Sequence, residues 1–190
     1  MEKRKKIPSR DEYRKTKTKL IENDETTTLI ALRLGCEMGM SRIEIANTRI
    51  SDIDRIHKRG LWVEIAKHVR RGNKQVMRQR EIPINPNLYQ LIKSYIDNDR
   101  MYILKRDRGD TNKPFSQRYI NHLYEKSNIE WLTHKSRHFF KNCISDWMRK
   151  NRQVDIGLIK ELMGHKKTIT EDYGSYSWDY KIETIDNVFS

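Results

Sequence analysis

The sequence predicts an α+β domain that is mainly helical and contains a small antiparallel three-stranded sheet. Over most of the 190 residues, apolar side chains recur at helical spacing behind residues that cap helices. Between Ile50 and Ile84 this pattern changes to the short runs that are typical of strands. The apolar residues, 36% of the chain, are clustered, so we expect them to form one hydrophobic core.

The helices can be placed from their caps and stops, because Ser, Thr, Asp and Asn favour the N-cap and glycine favours the position after a helix. In chain order we expect helices from Ser9 to about Asn23, from Asp24 to Gly39, briefly after Ser41, after Asn85-Pro86, from Ser116 to about Asn128, from Thr133 or His134, and from Asp155 to Gly164. A further helical segment would carry Tyr173 and Tyr176, ahead of an amphipathic C-terminal helix over about 178–190.

Three segments show the strand pattern: Ile50 to Ile56, Leu61 to Ala66 and Val76 to Ile84. The second and third flank residues 70–74, a basic segment whose Gly-Asn pair suits the turn of a hairpin. The sheet should therefore be antiparallel.

The chain divides into residues 1–8, a basic tail or linker remnant, and residues 9–190, one domain. The formal net charge of +13 indicates a polyanionic partner, and nucleic acid fits best. No apolar run approaches the ~20 residues of a membrane span, and no secretion signal follows the basic start. Cys36 and Cys143 lie within apolar helical patterns without metal-ligand spacing, so we expect buried free thiols and a cytoplasmic location.

Two clusters carry candidate chemistry. In His134-Lys-Ser-Arg137 an imidazole stands three residues before a guanidinium, so both lie on one helix face and could bind the same phosphate. Gly164-His165 supplies another donor, and Tyr173 follows eight positions later with a phenol. Together these residues predict a phosphate site with a nucleophile beside it.

With the upstream segment EMGMSRIEIA at 37–46, these motifs resemble the catalytic domain of the tyrosine recombinases, the phage-integrase family. The order Arg, Lys, His-x-x-Arg, Gly-His, Tyr extends from about Ser9 to Tyr180, nearly the whole chain. The resemblance implies that fold and a site-specific recombinase or integrase. Such an enzyme cleaves and rejoins DNA through a 3′-phosphotyrosyl intermediate, without a cofactor or a metal ion.

The resemblance also implies roles for individual residues. Arg42 and Arg137 would hold the non-bridging oxygens of the phosphate, for which the planar guanidinium is suited. His134 and His165 would donate hydrogen bonds or move a proton. Two further residues would support the site: Glu44 and His138.

The nucleophile and the general acid each have two candidates. Tyr173 is preferred as the nucleophile because a glycine follows it, and Tyr176 is the alternative. A lysine of the hairpin would protonate the leaving 5′ oxygen. Lys67 is preferred because extra residues lengthen a hairpin at its tip and leave its base unchanged. Lys74 better matches the family's spacing when it is counted back from Ile82-Pro83 in the strand that follows the turn.

The implied partners are double-stranded DNA and further copies of this chain, joined in a synaptic tetramer on DNA. The C-terminal helix over 178–190 could dock on its own domain or on a neighbouring protomer. The family's usual helical domain ahead of the catalytic one has no counterpart before Ser9, which fits either a fragment or a minimal form. Two other functions remain open: a DNA-binding protein without catalysis, and a strand-passing enzyme like the type IB topoisomerases.

Overall fold

The computed structural model describes residues 6–68, 75–96, 100–104, 113–152, 155–164 and 176–189, with the backbone alone at 65–68 and 75–78. Its elements in chain order are α1 (Arg10–Glu22), α2 (Thr26–Met38), α3 (Arg42–Asn47), a 3₁₀ helix (Ile50–Asp52), β1 (Gly60–His68), β2 (Gln75–Pro83), α4 (Pro86–Tyr95), α5 (Gln117–Lys126), α6 (Thr133–Lys150), α7 (Ile156–Leu162) and α8 (Trp178–Phe189). The predicted fold class, mainly helical with a small antiparallel sheet, is confirmed.

Helix α2 lies at the centre of this arrangement. Every residue from Thr28 to Met38 is buried, as its almost continuous apolar sequence requires. Helices α1, α4, α5 and α6 pack around it. The helix ends at Gly39, which has a φ of 62° and donates its N–H to the carbonyl of Leu34, so the predicted stop is confirmed.

Most of the predicted N-caps are confirmed. Four side chains each accept a hydrogen bond from a backbone N–H of the first turn: Ser9, Asn85, Ser116 and Asp155. The cap predicted for α2 was wrong. Asp24 has a φ of 54°, outside the extended region of an N-cap, and Glu25 occupies the cap position.

The sheet has two strands in the described residues, not the predicted three. Strands β1 and β2 pair antiparallel from Gly60 opposite Pro83 to His68 opposite Gln75. The segment predicted as a third strand, Ile50 to Ile56, begins with a 3₁₀ helix and forms an isolated bridge to β1 between Ile53 and Leu61, not a strand. The N–H groups of Asp52 and Ile53 donate to carbonyls three residues earlier and are therefore not available to a ladder.

A buried polar network fixes α2 against its neighbours. Arg33 donates from Nε and Nη2 to the two oxygens of Glu37, both at 3.0 Å, and from Nη2 to Asn85 at 3.2 Å. Asn85 and the hydroxyl of Tyr13 also donate to Glu37. The charges of this interior pair are thus matched by oriented donors from α1 and from the cap of α4.

Helix α8 begins at Trp178, so the prediction that Tyr176 lies within a helix was wrong. In this single chain α8 packs on β2 and α6. Ile185 and Val188 are buried, and the ring of Phe189 stacks on that of Phe140 with centroids 5.7 Å apart. None of the described helices has the length and apolar character needed to cross a bilayer.

Replacing Gly39 by alanine should destabilise the domain by about 2 to 4 kcal/mol, because a left-handed φ and an overfilled core are each penalised. A Cβ on Gly39 would lie 2.5 Å from Cδ1 of Phe140. Urea unfolding measures this loss. The exposed Lys141 of α6 gives a control, since Lys141→Ala should change stability by less than about 0.5 kcal/mol. Equal effects of the two substitutions would contradict the packing argument.

Candidate active site

The carboxylate of Glu44 is the centre of a buried charge cluster. Its side chain is 4% exposed and each of its oxygens binds a different guanidinium. Oε1 accepts a hydrogen bond from Nη1 of Arg80, and Oε2 accepts one from Nη1 of Arg137 at 2.9 Å. Oε2 also accepts the backbone N–H of Ser41 at 2.5 Å. The predicted supporting residue therefore joins α3 to β2 and α6.

The surroundings of Glu44 keep it ionised. Burial alone raises the pKa of this carboxyl, but the charge and hydrogen bond of Arg80, followed by the charge of Arg137, lower it further than burial raises it. The net effect is a pKa below the ordinary value of 4.5. The cluster therefore contains one negative and two positive charges at neutral pH.

Arg137 connects Glu44 to the C-terminal ends of two helices. Its Nη1 donates to the carbonyl of Gly39 at 2.7 Å, just after α2, and its Nη2 donates to the carbonyl of Met163, just after α7. The side chain is 16% exposed. These contacts hold one candidate phosphate ligand, Arg137, directly beside the segment that leads to His165.

Arg80 is a member of the cluster that the sequence analysis missed. It lies on β2 opposite Val63, and its side chain is 8% exposed. Strand alternation is the signal that could have revealed it. Residues two apart share a face, so Arg80 points the same way as the buried Ile82. A Cβ on Gly164 would lie 2.7 Å from Nη1 of Arg80, so the chain passes close to this guanidinium.

Arg42 lies apart from the shared carboxylate. It is the first residue of α3 and is exposed, and no hydrogen bond or ion pair joins it to another described residue. The charge of Arg42 nevertheless affects the pKa of His134. The pKa of that histidine is lowered, first by partial burial and then by the charges of Lys135, His138 and Arg42. The rings of His134 and His138 meet edge to face with centroids 6.1 Å apart.

Three predicted residues fall outside the described residues: Lys74, His165 and Tyr173. Lys67 lies on β1 opposite Val76, in the part where the structure describes the backbone alone. The choice between Lys67 and Lys74 therefore stays a prediction, as do the roles of His165 and Tyr173. Among the predicted residues, the structure brings Glu44 and Arg137 into contact, and the charge of Arg42 contributes to the lowered pKa of His134.

The alternative nucleophile, Tyr176, is held by a carboxylate. Its hydroxyl donates a hydrogen bond to Oδ1 of Asp155, the oxygen that also caps α7 by accepting the N–H of Leu158 at 3.1 Å. Burial, followed by Asp155, raises the pKa of Tyr176 to about 12. The phenolate form of this side chain is accordingly disfavoured in the structure.

A model of the phage integrase family matches residues 11–175 of this sequence. No curated protein matched it.

Solved structures show the same fold. The integrase from mycobacterium phage Brujita is 18% identical with a TM-score of 0.62, over 86% of this chain and 52% of that one. XerA recombinase is 20% identical with a TM-score of 0.61, over 96% and 62%. Lambda integrase residues 75–356, solved as a dimer bound to a COC′ core site, is 13% identical with a TM-score of 0.60, over 91% and 62%. The chain thus spans between half and two thirds of their lengths.

Replacing Glu44 by glutamine should cost about 3 kcal/mol of unfolding free energy, because one buried and one partly buried guanidinium lose their shared negative charge. Glu64→Gln is the control. Glu64 is exposed and its described contact is a hydrogen bond from Gln79, so this change should cost less than about 0.5 kcal/mol.

The effect of Glu44→Gln should also depend on pH. The folded pKa of Glu44 lies below 4.5, so its ionised form stabilises the fold above pH 4.5 and this contribution is lost as the pH falls through the folded pKa. The stability gap between the wild type and the variant should therefore be full at pH 7 and shrink in acid. Urea titrations at several pH values measure it, and a gap that stays constant would refute the assignment.

Proposed function

The chain belongs to the phage integrase family, the tyrosine recombinases, and from this membership we propose that it cleaves and rejoins DNA at specific sites through a 3′-phosphotyrosyl intermediate, without a metal ion. The observation that carries the proposal is the cluster around Glu44. It holds Arg137 beside the segment that runs to His165, within a chain that matches the family over residues 11–175. That arrangement suits the binding of a phosphate diester.

The proposed reaction is a transesterification. The phenolic oxygen of Tyr173 attacks the phosphorus, and the bond from phosphorus to the 5′ oxygen of the next nucleotide breaks. Lys67 gives a proton to that oxygen, and His134 or His165 accepts the phenolic proton. The lowered pKa of His134 favours the neutral imidazole that can accept it. Rejoining reverses these steps, with a 5′ hydroxyl attacking the phosphotyrosine.

Stabilisation of the transition state falls to the arginines. The two non-bridging oxygens carry the developing charge, and we assign Arg137 and Arg42 to them, with Glu44 keeping Arg137 in position. Arg42 is exposed at the start of α3 and would bind the phosphate from there.

Tyr173 is the better candidate for the nucleophile. An attacking phenol must lose its proton, whereas the hydroxyl of Tyr176 donates to the carboxylate of Asp155 and its pKa is raised to about 12. Releasing Tyr176 would also remove the hydrogen bond that it donates to Asp155, the residue that caps α7. Both considerations favour a structural role for Tyr176.

The proposed substrate is double-stranded DNA, bound by several copies of the chain. The net charge of +13 supports a polyanionic substrate. Lambda integrase has been solved as a tetramer bound to a Holliday junction. This domain shares the fold of that structure, with a TM-score of 0.58 between the two chains. This likeness supports a synaptic tetramer as the working form.

Covalent trapping tests the reaction. Incubated with a nicked suicide duplex, the wild type should form a protein–DNA adduct that survives denaturation. Tyr173→Phe should reduce the adduct to background because it removes the attacking oxygen. Tyr176→Phe is the matched control. It should still form the adduct and lose about 1 kcal/mol of stability with the hydrogen bond to Asp155.

Other outcomes of the trapping experiment identify the rival functions. Normal DNA binding without any adduct from the wild type would mean a DNA-binding protein without catalysis. Relaxation of supercoiled DNA without site preference would mean a strand-passing enzyme. An adduct that disappears in Tyr176→Phe and persists in Tyr173→Phe would exchange the roles of the two tyrosines.

Affinity for duplex DNA should fall steeply with salt. If the domain neutralises roughly six or more phosphates, binding should weaken by about a thousandfold between roughly 50 and 200 mM salt, since released counterions drive association. Fluorescence anisotropy with a labelled duplex measures the slope. A flat response would count against DNA as the partner.

A further inference from the structure

Arg80 has a free hydrogen-bonding edge inside the domain. Its side chain is 92% buried, since 8% is exposed, and its Nη1 donates to Glu44. Nε and Nη2 are buried and have no hydrogen-bond partner among the described residues. By contrast, the buried Arg33 uses both of these nitrogens as donors to Glu37. A buried guanidinium edge without an acceptor is costly, so it indicates a site whose acceptor comes from outside the chain.

Arg80 shares its described carboxylate with a second arginine. Glu44 pairs with both Arg80 and Arg137, so its single negative charge is divided between two guanidiniums. Nε and Nη2 lie on the same side of a guanidinium, and this edge can donate two parallel hydrogen bonds to a tetrahedral oxyanion. Arg80 therefore has two donors without a described acceptor and only a shared counter-charge, and both features suit a phosphate oxygen.

Arg80 lies close to residues of the proposed phosphate site. Arg80 and Arg137 bind the two oxygens of the same carboxylate, so their guanidiniums are neighbours. Gly164, where an added Cβ would lie 2.7 Å from Nη1 of Arg80, is the residue before His165. Arg80 thus lies beside Arg137, to which the proposed function gives the phosphate, and beside the residue that precedes His165 in the sequence.

We propose that Arg80 is a catalytic residue that binds a non-bridging oxygen of the scissile phosphate through Nε and Nη2, beside Arg137. The inference rests on the proposed function and adds a guanidinium from β2 to those of α3 and α6. Glu44 then positions two phosphate ligands at once, and the substrate completes the hydrogen bonding of Arg80. Arg42, exposed at the start of α3, keeps the role proposed for it above.

The test is a chemical rescue with two variants and a control. Arg80→Met removes the charge at similar length, whereas Arg80→Lys keeps a cation for Glu44 but loses the planar edge. Arg59→Met is the control because the described side-chain partners of Arg59 are Asp186 of α8 and the carbonyl of Ile84, outside the Glu44 cluster. With a natural suicide duplex, both Arg80 variants should form the adduct slower by on the order of a hundredfold, and the control at the wild-type rate.

A second duplex carries a methylphosphonate at the scissile position, where a methyl group replaces one non-bridging oxygen and removes the negative charge. The deficit of Arg80→Met relative to the wild type should shrink to within about tenfold on this duplex, because less charge needs stabilising. An arginine needed only for folding would leave the deficit unchanged. An unchanged deficit, or natural-substrate rates equal to the wild type, would overturn the assignment while the proposed function stands.

Inorganic phosphate gives a readout that does not depend on cleavage. At constant ionic strength, phosphate should raise the melting temperature of the wild type and of Arg59→Met more than that of Arg80→Lys. If the wild type forms no adduct on any duplex, the proposed function fails and this titration decides the site alone. Equal stabilisation of the wild type and Arg80→Lys would then overturn it.

Discussion

The buried carboxylate of Glu44 is the constraint on which the candidate site depends. An ionised group with 4% exposure is stable in a protein interior only if donors surround it, and here they come from Ser41, Arg80 and Arg137. Residues far apart in the sequence must meet before any of these charges is neutralised. Folding therefore also assembles this charge cluster, and the geometry that we propose for phosphate binding depends on the same electrostatic interactions.

A second buried ion pair, Arg33 with Glu37, stabilises the position of α2, whose C-terminal end contacts the first cluster. Arg33 and Glu37, satisfied by Asn85 and Tyr13, fix the orientation of α2. The end of that helix presents the carbonyl of Gly39 to Arg137 at 2.7 Å. The two networks are therefore connected through α2. A rotation of this helix would move the carbonyl of Gly39, which accepts a hydrogen bond from Arg137.

Local sequence signals predicted the helices well, because Ser9, Asn85, Ser116 and Asp155 cap them through contacts within one turn. The third strand was wrong because a strand needs a distant partner, and the N–H groups of Asp52 and Ile53 donate to carbonyls three residues earlier instead. Of the residues that the motifs predicted, the structure brings Glu44 and Arg137 into contact. The motifs did not reveal Arg80, because an arginine in a strand looks solvated until tertiary structure turns it inward beside a carboxylate. The roles of Tyr173, His165 and the lysines stay predictions.

The burial of α2 has a consequence for anyone who wishes to shorten or fuse this domain. Helix α1 covers α2 and contributes the hydroxyl of Tyr13 to the interior carboxylate of Glu37. Removing α1 would expose apolar surface and also take a donor from that charge, so trimming past Arg10 would harm solubility and stability together. A tag or an added DNA-binding module is best joined ahead of Ser9, where it leaves this cover in place.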